Sequence, residues 1–326
     1  MGVVHFLNVK DGDCSIIQHT SGRVSMIDIC NGNVENQYVT DSRDPMRTIL
    51  ESLQGDMHQK NYPVNPINYL NSFDIKYIFR FILTHPDMDH MDGIKRLFSE
   101  FTVNCFWDTA NNKKMSDGSF GGFSKEDWLF YQKIRKGALN YYAGSVNCYY
   151  NADNANRTGD GDFLQILCPT EALIKDVNEH GDYNNGSYVI LYNEDGRKIL
   201  FCGDAGEKEW NVLLRYYPNK LRNIDVLIAP HHGRKSGGND DFLDILKPKL
   251  TLFGNAKSDF LNYSDWNSRK LLHFANNQGG TFVLVHLNRK IEVYCTNQSF
   301  AEKVVNFFGW FTYYVKAYNA WYLITI

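Results

Sequence analysis

The residues best equipped for chemistry lie in one short run, Thr84-His85-Pro86-Asp87-Met88-Asp89-His90-Met91-Asp92-Gly93. Five potential metal ligands fall within eight residues there, directly after an apolar stretch. An ionised Asp is almost never buried without a partner, so such density does not read as core filling. On a loop at a strand's end these side chains can point into one cavity and hold cations. The mixed nitrogen and oxygen set suits Zn²⁺ or Mn²⁺ better than Ca²⁺. The competing structural reading is a polar loop that caps the next helix, with Asp92 as N-cap.

Two further apolar runs end in the same residue types. Lys198-Ile-Leu-Phe-Cys202 leads into Gly203-Asp204, and Asp225-Val-Leu-Ile-Ala-Pro230 leads into His231-His232-Gly233. An Asp just past a strand is often only a turn residue. A sheet gathers its strand ends along one edge, however, and three loops rich in His and Asp can converge there. Arg234 and Lys235 follow the His pair and either hold a phosphate or form a solvated turn. Ser187 either hydrogen-bonds substrate or begins its strand.

The elements that must position these residues are legible from hydrophobic spacing. Val3–Val9, Ser15–His19 and Val24–Ile29, separated by turn residues, predict an antiparallel meander. Tyr77–Thr84 is the most strand-like run, and Ile94, Leu97, Phe98 and Phe101 give helical spacing. Ser124-Lys-Glu-Asp127 has the capping-box pattern and opens a predicted helix over Lys125–Tyr142. Strands and helices then alternate, with a helix expected over residues 264–276 and strands over 281–286 and 290–295. Trp310–Lys316 and Ala320–Ile326 predict a hairpin around Tyr318-Asn319.

Composition narrows the partners. Thirty-four Lys+Arg against 37 Asp+Glu give a net charge of −3, which excludes a whole-chain polycation holding nucleic acid by charge alone. Seven scattered cysteines, none in Cys-x-x-Cys spacing, predict reduced thiols and a cytoplasmic location. The aromatic C-terminus carries Lys316 and Asn319 mid-span, so no membrane span is expected. Six Trp, 20 Tyr and 21 Phe exceed what a minimal core needs. The excess gathers near residues 120–150 and 307–322, where it can stack bases or bind a protein partner.

The motifs together resemble the metallo-β-lactamase fold, and within it the soluble hydrolase domain of ComEC-type DNA-uptake proteins. The resemblance rests on Phe6–Asp13, Met26-Ile-Asp28, His85-x-Asp87-x-Asp89-His90, Asn184-Asn-Gly-Ser187, Leu200–Asp204 and Asp225–Gly233. It implies an α/β fold, an αββα sandwich of two mixed sheets with outer helices. The expected organisation is a single domain over 1–326, with insertions at about 31–73 and 108–161 and an aromatic hairpin at about 307–326.

The resemblance also implies two divalent ions, Zn or Mn. His85 and Asp87 would serve one, Asp89 and His90 the other, with Asp204 bridging and one of His231 and His232 completing the second; His232 is the preferred ligand, with His231 facing the substrate. Two such cations, about 3.5–4 Å apart, would activate water and neutralise charge growing on a phosphoryl group, and Asp89 would orient the attacking water as well as ligate. The family more often has His at the place of Asp87, and usually has a further His where this chain, like the ComEC-type branch, has Asn184–Ser187. The leading expectation is a hydrolase of phosphodiesters, with a nucleic acid or nucleotide as substrate. A lactone or other carboxylic ester, or a metal-poor scaffold for a protein partner, are the alternatives.

Overall fold

The computed structural model describes residues 1–34, 57–116, 118–136, 145–147, 162–235, 241–256 and 260–326. The first sheet starts with β1 (Val3–Phe6), β2 (Ser15–Gln18) and β3 (Val24–Ile27), paired antiparallel as the meander pattern predicts. After α1 (Pro66–Ser72) the chain adds β4 (Tyr77–Ile82), α2 (Ile94–Glu100), β5 (Thr102–Trp107), α3 (Lys125–Arg135) and β6 (Ser145–Asn147). Strands β3 to β6 run parallel, each to the next.

The second sheet is built from β7 (Leu164–Cys168), α4 (Glu171–His180), β8 (Val189–Glu194), β9 (Arg197–Phe201), α5 (Glu207–Tyr216), α6 (Pro218–Leu221) and β10 (Val226–Ile228). It continues with α7 (Phe242–Leu246), β11 (Leu250–Phe253), α8 (Tyr263–Ser268) and β12 (His273–Ala275). Strands β9 to β12 are parallel. The chain then passes α9 (Asn276–Gly279) and returns to the first sheet with β13 (Phe282–Leu287) and β14 (Lys290–Cys295). The remaining elements are α10 (Gln298–Phe308), β15 (Tyr314–Val315) and β16 (Ala320–Thr325). Among the described residues the order is β15-β16-β14-β13-β1-β2-β3-β4-β5-β6 in one sheet and β12-β11-β10-β9-β8-β7 in the other.

Alternation along the strands explains the layering. Val4, Phe6, Ile17, Ile82, Phe282 and Val293 of one sheet share a buried core with Ile166, Ile190, Ile199, Phe201, Val226 and Leu252 of the other. The intervening residues Ile16, Met26, Phe81 and Val103 point the other way and pack against α1, α2 and α3. Likewise Leu191, Leu200 and Leu227 pack against α4, α5, α7 and α8. Both faces of each sheet are therefore buried, which requires helices outside and gives the αββα sandwich. Each fully buried Ile, Leu or Phe contributes about 1.5–3 kcal/mol of transfer free energy to holding the layers together.

Several local expectations are corrected. The capping box at Ser124 is not closed: the Ser124 hydroxyl accepts from Glu126 N. Asp127 instead accepts from Gly93 N and Lys95 N, both at 2.9 Å, and so caps α2 from a neighbouring helix. Asp92 is correspondingly not the N-cap of α2, and its carboxylate accepts from Asn31 N. The helix expected over 264–276 ends at Ser268; Lys270 turns left-handed at φ 55°, and His273–Ala275 forms strand β12 beside β11. Helix α10 lies outside the elements that the sequence predicts, although Asn297 caps it and Phe300, Ala301 and Val304 carry its buried face. The C-terminal hairpin is present with a shorter first arm, and β16 pairs with β14. The end of the helix expected to reach Tyr142 lies outside the described residues. The six cysteines other than Cys148 are unpaired and buried.

Candidate metal centre

Five chain segments meet at one edge of the sandwich, and the topology explains why. Strands β3, β4, β9 and β10 end there, and the β1–β2 turn reaches the same edge because β2 runs antiparallel to β3. Parallel strands deliver their carboxyl ends to a common crevice, the usual binding place in such folds. The loop after β4 supplies His85 and Asp87 and then a single 3₁₀ turn, Met88–His90. The turn after β9 supplies Asp204, and Pro230–Gly233 after β10 supplies the two histidines.

Asp204 lies at the centre, 4 % exposed. Its Oδ2 is 3.7 Å from His85 Nε2 and 3.5 Å from His231 Nε2. Its Oδ1 is 3.2 Å from His90 Nε2 and 3.6 Å from His232 Nε2. His232 Nε2 is also 3.6 Å from Asp89 Oδ2, while His85 Nε2 is 3.9 Å from Asp87 Oδ2. One carboxylate thus presents its two oxygens to two groups of side chains. His85, His90 and Asp204 form one set with mutually close ligand atoms, and Asp89, His90 and His232 form another.

The surroundings fix these orientations. His90 Nδ1 lies 2.8 Å from Asp28 Oδ2, and Asp28 also accepts from Thr84 N and Thr84 Oγ1 at 2.7 Å each. His232 Nδ1 lies 3.0 Å from Asp13 Oδ1. Asp28 holds the rear nitrogen of His90 by a hydrogen bond, and Asp13 stands against that of His232 as a close charge partner, so both rings turn Nε2 inward, as metal-bound histidines with outer partners do. His231 and His232 are both left-handed, at φ 50° and 58°, a conformation costing about 1–3 kcal/mol for a non-glycine residue. Gly233 follows at φ 86°, and a Cβ there would meet Phe253 Cδ1 at 1.7 Å. His231 N donates to Gly203 O, tying this turn to the one bearing Asp204.

Charge in the cluster is strongly redistributed. Burial alone would lower His90, but Asp204 and Asp28 hold its pKa well above the usual imidazole range. Burial likewise opposes His232, which Asp13 and Asp204 push up to about 10. Burial and the charge on His90 lower His85; burial also lowers His231. Asp204 falls well below the carboxylate range despite its burial, because His232, His90 and His85 surround it.

The donor set fits a metal. His85 Nε2, His90 Nε2, His232 Nε2 and Asp204 Oδ1 are all buried without a hydrogen-bond partner. Buried polar atoms are rarely left so, and four ligand-type atoms converging in this way are what a cation satisfies.

The expected site residues are placed as follows. His85, Asp87, Asp89, His90, Asp204, His231 and His232 all come together at this edge. Ser187 is fully buried behind it, and its hydroxyl accepts from Asp204 N. Asn184 donates from Nδ2 to Asp204 Oδ2 at 3.3 Å. Arg234 is half-buried beside His231, its Nε without a hydrogen-bond partner, and the Lys235 side chain is exposed. Asp13, Asp28 and Lys113 were given no role by sequence reasoning. The first two end turns or strands like many structural Asp residues, and Lys113 lies far from every motif. Its Nζ pairs with Asp87 Oδ1.

Two sheets between outer helices, with His-x-Asp-x-Asp-His, Gly-Asp and His-His-Gly on one edge, decide the fold. This is a metallo-β-lactamase-like fold. It resembles that of ComEC-type proteins. Over 294 residues the chain is 21% identical to ComE operon protein 3 of Bacillus subtilis (strain 168), covering 83% of this chain. A segment of 112 residues is 28% identical to Recombination protein 2 of Haemophilus influenzae, covering 34% of this chain and 12% of that one. The chain spans only 34% of the length of ComE operon protein 3. No model of a known protein family matches it. Among solved structures, one described as a new diphosphatase from the PhnP family is similar at 11% identity and a TM-score of 0.45, over 88% of this chain and 98% of that one. Among the described residues of this metallo-β-lactamase-like fold, no helix is long and apolar enough to cross a membrane.

Proposed function

We propose that this chain is a metal-dependent hydrolase that cleaves phosphodiesters at a dinuclear centre, with a nucleic acid or nucleotide as substrate. The observation that carries the reading is Asp204, whose two oxygens face separate sets of inward-turned imidazoles. His85, Asp87 and Asp204 would hold one Zn²⁺ or Mn²⁺ ion, and Asp89, His90, His232 and Asp204 the other. When bound, the ions would supply activated water and neutralise charge on the phosphoryl oxygens.

The chain's own residues do the rest. Asp89, a quarter exposed, orients the attacking water from the open side. His231 keeps a lowered pKa through burial, so its imidazole is neutral near pH 7 and able to move a proton. Arg234 brings a partly buried guanidinium beside His231, where it can grip a phosphate oxygen. Ser187 and Asn184 steady Asp204 rather than the substrate. A phosphodiester suits this arrangement because its transition state spreads negative charge over several oxygens. The name of one bacterial relative, a recombination protein, agrees with a nucleic-acid substrate. With a net charge of −3, the grip on such a substrate must be local.

The test is turnover of single- and double-stranded DNA, RNA, a chromogenic phosphodiester and a lactone with Mn²⁺- or Zn²⁺-loaded protein, beside His90→Ala. Cleavage of phosphodiesters that His90→Ala abolishes is expected. Cleavage of the lactone alone would replace the proposed substrate class with carboxylic esters.

A further inference from the structure

We infer that Lys113 is a resident cation of the first half of the cluster, holding Asp87 until a metal ion displaces it. The two halves therefore fill unequally, the half around Asp89, His90 and His232 first. The inference rests on the metal-centre reading above.

The pairing of Lys113 Nζ with Asp87 is not the chance contact of a wandering surface lysine. The ammonium also lies 5.4 Å from the centre of the Tyr183 ring. Its backbone is pinned on both sides. Arg135 of α3 donates from Nη2 to Asn111 O at 2.8 Å. Asn178 of α4 donates from Nδ2 to Ala110 O at 3.0 Å and accepts from Asn112 N at 2.8 Å. Tyr183 OH donates to Asn112 Oδ1 at 2.8 Å. Segment 110–113 is thus strapped across two helices, and it delivers the ammonium to the one carboxylate that stands where the family more often has His.

Chemistry makes the substitution consequential. A neutral imidazole at that place would neither attract an ammonium nor need one. A carboxylate does both, and an ammonium on its oxygen competes directly with a metal ion. A site that is free for only a fraction of the time binds with its affinity reduced by that fraction. If Lys113 holds Asp87 about nine-tenths of the time, the first half loses about tenfold in affinity. In the other half the protein itself turns Nε2 of His90 and His232 inward, through Asp28 and Asp13.

Calorimetric titration of the full chain, stripped with chelator, with MnCl₂ and with ZnCl₂ tests this. Wild type is expected to show a tight and a weak class of site, and Asp87→Asn to lose the weak one. Lys113→Met and Lys113→Gln are both expected to tighten the weak class about tenfold, with the tight class unchanged within twofold. Thermal melts of the metal-free variants confirm that they are folded. A weak class indifferent to both substitutions, or two classes shifting together, would overturn the role of Lys113 while leaving the metal centre standing. No binding of either ion to any form would overturn the metal centre itself, and this inference with it.

Discussion

Replacing Asp28 by Asn isolates the part played by the carboxylate behind His90. Asp28 sits at φ 58°, which Asn also tolerates, so the substitution leaves the backbone in place. Its Oδ1 accepts from Thr84 N at 2.7 Å, while Oδ2 lies 2.7 Å from Thr84 Oγ1 and 2.8 Å from His90 Nδ1. An amide that keeps its oxygen on Thr84 N puts an NH₂ donor against His90 Nδ1. The imidazole must then carry its proton on Nε2, which is tolerable 3.2 Å from Asp204 Oδ1 but leaves no lone pair for a metal. The flipped amide restores His90 and sets a donor against the buried Thr84 N–H, at about 1–3 kcal/mol. Either way the expected loss is about 10–100-fold in metal affinity. Competition against a chromophoric chelator measures it, with a melt of the metal-free variant to establish that it is folded. A folded Asp28→Asn protein binding metal within twofold of wild type would refute this reasoning.

Two predictions address the scaffold. Gly233→Ala is expected to cost more than about 3 kcal/mol, because the added Cβ meets Phe253 Cδ1 at 1.7 Å and the residue must hold φ 86°; a melting temperature equal to wild type would contradict the packing described. Asp225 is depressed although burial opposes it, because Lys249 Nζ, Lys198 N and Arg197 Nη1 bond its carboxylate. A depressed folded-state pKa gives stability that is present above the unfolded value and lost as pH falls through the folded one. Asp225→Asn is therefore expected to destabilise by about 1–3 kcal/mol at pH 7. The gap from wild type should close below about pH 4, as followed by denaturant melts across pH.

The convergence of His85, Asp87, Asp89, His90, Asp204, His231 and His232 on one edge is legible in the sequence because His and Asp crowd onto loops directly after apolar strands, and strand order brings those loops together. What was not legible depends on distance along the chain. Asp13 and Asp28 look like ordinary turn residues until the first sheet closes and sets them behind His232 and His90. Lys113 acquires meaning only when Arg135 and Asn178 strap its segment beside Asp87. Asp127 shows the same limit: its local spacing from Ser124 suggested a capping box, and tertiary packing assigned it to α2 instead. The helix expected over 264–276 failed for a non-local reason as well, since His273–Ala275 joins the edge of a parallel sheet beside β11, a partner its own residues do not reveal.

The aromatic excess is partly accounted for. Phe282, Phe300 and Trp266 are buried in or against the sheets, whereas Phe311 is 89 % exposed and Trp310 46 % exposed near the C-terminal hairpin. Those exposed rings lie in the tail, outside every motif that carries the family resemblance.

The most direct measurement is the rate of hydrolysis of a chromogenic phosphodiester against free Mn²⁺ or Zn²⁺, for wild type and for Asp204→Asn. A rate that rises and saturates with the metal in wild type, and falls by at least about 100-fold in Asp204→Asn, is predicted, since that carboxylate serves both halves of the cluster. A rate indifferent to chelator, or one that survives Asp204→Asn unchanged, would contradict the account.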